Sequence, residues 1–147
     1  MSTKIASNEL AEIESLVGWL SENMIFYADV EHEINFKKMM DLYDLSLGQN
    51  AEYESAIYVA AHPEIFKCYD LDKLNTNYGP LGCLLFEVEE SVHHNAGALT
   101  GTSRALAEAG LSLFNGHQVS VADIVTRGEE MLGVFMQACN IRAGNHF

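Results

Sequence analysis

Basic residues are scarce in this chain: eight Lys and Arg stand against 21 Asp and Glu, a formal charge of −13. A field of that sign repels phosphate backbones and anionic lipid, which sets direct nucleic-acid and membrane binding aside. Long apolar runs are missing too, and none approaches the ~20 residues that a bilayer core requires. The opening residues, "MSTKIASNELAEIESL", hold neither an apolar signal core nor an Arg-rich amphipathic presequence, so a cytoplasmic location is expected. Cys68, Cys83 and Cys139 form no C-x-x-C pair. That excludes zinc-finger chemistry and reads as three reduced, structural thiols. There is also no G-x-S-x-G elbow, no phosphate-binding G-x-x-x-x-G-K-[ST] loop and no H-E-x-x-H.

What is present is a chain of 147 residues, 48% hydrophobic, long enough for one domain with its own core. Helical periodicity dominates it. In "SNELAEIESLVGWLSENMIFYA", Leu10, Ile13, Val17, Leu20 and Met24 recur at three-to-four spacing behind Ser7, a good N-cap. A second pattern, from Ile34 through Met39 and Tyr43 to Leu47, is expected to end at Gly48. A third, "AEYESAIYVAAHP", meets Pro63, which closes a helix or restarts one. "EIFKCYDLDKL" is a short helix or a strand by period alone, and "NTNYGPLG" (75–82) is dense in turn formers and marks the internal boundary.

Beyond that boundary Leu81, Leu84, Leu85, Val88, Val92, Leu99, Leu106 and Leu113 fit one helical stripe, weakened at Gly97 and Gly101. A long helix is expected there, with a break near Gly97. Ser120 followed by Asp123 at the third position, with Val119 able to staple onto Ile124, predicts the start of a last helix running to Cys139. The fold expected is all-α, a single-domain bundle of five or six helices with an acidic half (1–78) and a near-neutral helical pair (80–142). The alternative reads "LLFEVEE" as a strand, "GALTGTSRALAEAG" as a helix and "LSLF-NG-HQVSV" as a hairpin. This βαβ unit within residues 80–147 resembles the small ligand-binding ACT domains, and the resemblance implies an α+β fold.

Metal chemistry has one visible candidate. Glu90-x-x-His93, with His94 adjoining, has ligand spacing on a helix, and Asp29-x-x-His32 is a second acid-x-x-His pair. Six histidines among 21 acids produce about one such pair by chance. At about 100° per residue, Glu90 and His93 also fall opposite the stripe of Leu81, Leu85 and Val88. A solvated polar face is therefore expected, with no metal and no cofactor. His62 before Pro63 and His117 after Gly116 are placed as helix-end residues.

The surfaces left for a partner follow from where the charge sits. Residues 1–90 hold 17 acids and 5 bases, net −12, whereas residues 91–147 hold 4 acids and 3 bases, net −1. A basic protein partner complements the first half, with Glu12, Glu14, Asp41 and Asp44 as its contacts. Phe86, off the apolar stripe, and the small residues Gly97 and Gly101 mark a surface for a homodimer. The function expected is a non-enzymatic binding or regulatory protein. The alternatives are a small-molecule-binding domain with a Met and aromatic pocket, and a metal-dependent helical enzyme using Glu90 and His93.

Overall fold

The computed structural model describes residues 8–13, 24–86 and 92–145. Among the described residues every regular element is helical. Residues 8–13 are helical, followed by α1 (Val30–Leu42), α2 (Ala51–Ala60), α3 (Pro63–Phe66), α4 (Pro80–Leu85), α5 (Gly101–Asn115), α6 (Ala122–Val125) and α7 (Glu129–Arg142). Single 3-10 turns lie at Leu71–Lys73 and Ala96–Ala98.

The all-α class holds and the ACT-like alternative does not. Its proposed hairpin falls on the end of α5, where Gly116 takes φ 80° and its N–H bonds Ser112 O at 2.9 Å. Asn-Gly here terminates a helix, because glycine enters the left-handed region without a Cβ clash.

The middle of the molecule is α2. Residues 54–60 are buried without interruption, so beyond its first turn this helix has no wet face. Its neighbours are α1, α4, α5 and α7. Its N-terminus is closed by Asn50, whose Oδ1 accepts from Tyr53 N–H at 3.1 Å. Pro63 does restart the chain as α3, where His62 is the N-cap and its Nδ1 accepts from Glu64 N–H at 3.2 Å. On α5, Gly110 faces α2 and α4, and a Cβ there would stand 2.7 Å from both Val59 Cγ1 and Leu81 Cδ1. The missing side chain is what lets the three helices close up.

Three helix boundaries depart from the sequence expectation. The helical pattern does not hold at Met24, since residues 24–27 are irregular and the backbone of Phe26 bonds side chains instead, while Val17 and Leu20 lie outside the described residues. The second ends at Leu42, not Gly48, because Asp44 turns left-handed at φ 54° and Leu45 N–H bonds back to Met40 O at 3.0 Å. The break expected near Gly97 is wider than a kink: residues 92–95 form a turn, Ala96–Ala98 a 3-10 turn, and α5 begins afresh. Its start is a capping box in which Thr100 Oγ1 accepts from Ser103 N–H and Ser103 Oγ from Thr100 N–H, at 3.1 and 2.8 Å.

The capping role read for Ser120 is also corrected. Val121 is the N-cap of the short α6, no side chain caps it, and Gly128 at φ 105° separates α6 from α7. Ser120 is exposed, so Ser120→Ala should change stability by no more than about 0.5 kcal/mol in denaturant melts. Gly110→Ala should instead destabilise by roughly 1–3 kcal/mol, although alanine is the better helix former. A stabilised Gly110→Ala protein would mean that α5 does not approach α2 this closely.

Candidate interaction surface

One helix is apolar on two sides. The inner row of α1, Phe36, Met39 and Met40 with His32 and Asn35, is buried. On its outer side Val30, Ile34 and Leu42 are 73, 47 and 43% exposed. These three lie along one i, i+4 row with Lys38 between them. Exposed Met24 precedes the row and exposed Leu47 follows it.

Depressions line the same helix. One, of about 510 Å³, is formed by Met24, Ile25, Tyr27, Asp29, Val30 and Glu33. A second, of about 420 Å³, shares Tyr27 and continues over Phe36, Met40, Asp41 and Leu47. A third, of about 470 Å³, shares Asp41 and reaches Leu42, Leu71 and Asp72. Neighbouring depressions share Tyr27 or Asp41 and follow α1 as a track with carboxylates in its walls, and Ile34 lines none of the three. Of the lysines there, Lys37 is paired within the helix to Glu33 at 3.1 Å.

The floor is held rigid from beneath. Asp29, read as half of an acid-x-x-His metal pair, is the N-cap of α1, and its Oδ1 accepts from His32 N–H at 2.8 Å. His32 turns inward and is fully buried. Its Nδ1 accepts from Ala28 N–H at 3.1 Å and its Nε2 donates to Tyr58 O at 2.8 Å, which fixes a neutral tautomer. Asn35 Nδ2 donates to Ala61 O at 3.1 Å. The polar groups of α1 thus satisfy carbonyls that the end of α2 leaves open. Tyr58 Oη donates to Phe26 O, and Phe26 N–H donates to Gln137 Oε1 at 2.8 Å, clamping the irregular segment between α2 and α7. Tyr27 lies over this cluster, 5.4 Å from the His32 ring, its hydroxyl pushed up to about 12 by burial and then by Glu33 and Glu54.

The residues singled out by sequence disperse. Asp41 and Asp44 are exposed on and just after α1, and Glu12 is exposed in the first helical stretch, while Glu14 and Glu90 lie outside the described residues. His93 is exposed. His94 is structural, since its Nδ1 accepts from Asp70 N–H at 3.0 Å and its ring meets Tyr69 at 5.1 Å. Among the described residues no group of three metal-ligating side chains converges. Phe86 is exposed at the end of α4, with its ring 5.0 Å from His117. Gly97 and Gly101 share no helix: one is in a 3-10 turn, the other is the first residue of α5. Cys68 and Cys83 are buried and Cys139 half-buried; burial raises the thiols of Cys68 and Cys139, which disfavours the nucleophilic thiolate.

Comparison with protein families, characterised proteins and solved structures finds no match to this chain.

Burial lowers His32 to about 4, with His62 nearby adding to the effect, while the bond to Tyr58 O and the charge of Asp29 oppose it. An unfolded histidine titrates near 6.5, so the unfolded chain binds the extra proton between the two values. The stabilisation is complete above about pH 6.5 and is lost as pH falls toward 4, by up to about 3 kcal/mol. Denaturant melts of wild type and His32→Gln should therefore differ in slope across that window. Parallel pH profiles would show that His32 is not held neutral.

Proposed function

We propose that this chain is a non-enzymatic, cytoplasmic binding protein whose α1 track receives a basic amphipathic helix of a partner protein. The carrying observation is the exposed row of Val30, Ile34 and Leu42 on a helix whose other side is already buried. An exposed apolar row at i, i+4 spacing is the kind of face on which an amphipathic helix packs. The chemistry of the partner follows from the rim. Asp29, Glu33, Asp41 and Asp72 edge the track, within a segment whose net charge is −12 before residue 91. Apolar contact supplies the affinity, and the carboxylates set the approach and the choice of partner.

The reading is tested with a synthetic amphipathic Leu/Lys helix and its Leu/Glu counterpart. The Leu/Lys helix should bind, and added salt should slow its association by about tenfold or more. Ile34→Ser should speed dissociation, and Asp41→Lys with Asp44→Lys should slow association. Asp123→Lys, the same change of charge as either single reversal but in the second half of the chain, should do neither. If Asp123→Lys weakens binding as much as the Asp41 and Asp44 reversals, or Ile34→Ser has no effect, the track is not the site.

A further inference from the structure

We propose that a second site lies in the polar cleft between α5 and residues 118–127, and that it binds a small, extended zwitterion. The cleft encloses about 270 Å³. One wall is the face of α5 that carries Gly101, Arg104 and Glu108; the other carries Ser120, Asp123 and Arg127. Two of the chain's three arginines point to one cavity in a protein of charge −13.

The cleft carries charges of both signs, with Arg127 beside the start of α5 and the Arg104–Glu108 pair farther along it. At one end the Arg127 guanidinium is anchored by Nε, which donates to Asp123 O at 2.8 Å. Its Nη1 lies 3.6 Å from where a Cβ on Gly101 would stand, beside the first turn of α5. Among the described residues no carboxylate lies within ion-pair distance of Arg127. Oriented guanidinium donors without a carboxylate, beside the positive end of a 15-residue helix, match a ligand carboxylate. At the other end is Glu108, seven residues and about 10 Å along the helix axis. Glu108 forms an ion pair with Arg104 Nε at 3.8 Å and lies 3.6 Å from His117 Nε2, both beyond hydrogen-bond distance, so neither donor fills an acceptor site on it. That end matches an ammonium.

The same lining decides against other ligands. A phosphate dianion at the arginines would face both Asp123 and Glu108, and an apolar molecule would strip water from four charged side chains. An α-amino acid carries its two charges too close together to meet both ends. A longer chain between carboxylate and ammonium spans them, with Ser120 and Gln118 as polar groups of the same lining.

The full-length protein tests this by amide-resolved NMR at fixed ionic strength, with glycine, 4-aminobutyrate, 6-aminohexanoate, acetate and inorganic phosphate as probes. Affinity should rise with the length of the amino acid. 6-Aminohexanoate should shift Gly101, Ser120 and Arg127 saturably and bind at least about tenfold more tightly than glycine or acetate. Arg127→Gln and Glu108→Gln should each weaken it about tenfold with the helical spectrum unchanged, while the amides of α1 stay unmoved throughout. Equal or tighter binding of phosphate or acetate overturns the zwitterion assignment. Shifts that never saturate, or that survive both substitutions, overturn the site.

Discussion

A buried helix needs neighbours to answer its side-chain polar groups and the carbonyls its last turn leaves open, and α2 imposes that demand on the rest of the protein. Its residues 54–60 are sealed. Carbonyls near its C-terminal end are therefore bonded by His32 and Asn35 of α1. Its buried Glu54 accepts from Gly48 N–H at 2.8 Å, and its Tyr58 hydroxyl holds Phe26 O. Leaving any of these groups unpaired in the interior costs about 1–3 kcal/mol, so the surrounding elements are positioned as much by hydrogen bonding as by apolar area.

The two surfaces assigned to ligands follow from this enclosure. Because α1 turns its polar residues His32 and Asn35 inward to serve α2, its apolar residues are divided between both sides. Val30, Ile34 and Leu42 are what remains outside, and the acidic first half supplies the rim. The cleft beside α5 is built differently. There α5 packs on α2 through Gly110 and Leu106 and leaves its Arg104 and Glu108 side to the cleft. One surface is apolar with a charged edge, the other charged throughout, so they select different chemistries.

The sequence made the helical class legible because the three-to-four periodicity is strong and Pro63 and the 75–82 turn punctuate it in the right places. Charge asymmetry was equally plain, since it needs only counting. What misled was local chemistry with two readings. Asp29-x-x-His32 has ligand spacing, but the same spacing places an N-cap oxygen on the N–H three residues later, and that is its use. Ser120 and Asp123 have the form of a helix start, yet Gly128 interrupts the helix they would begin. Apolar residues from Leu81 to Leu113 keep a helical spacing across a stretch that is turn and 3-10 between residues 92 and 98, and Val92 in that stripe is 75% exposed, so the spacing there records neither burial nor a continuous backbone helix. The arginine cleft left no signal at all: Arg104 and Arg127 meet only through the packing of α5 and α6.

Native-state hydrogen exchange, resolved by residue, tests the central claim that α2 is the enclosed element on which the others depend. The amides of Ser55 to Ala60 should exchange only through global unfolding, with an opening free energy equal to that from denaturant melts, while amides on the outer row of α1 open at lower cost. Exchange of α2 by local opening, at a free energy below that of α1 or α7, would contradict it.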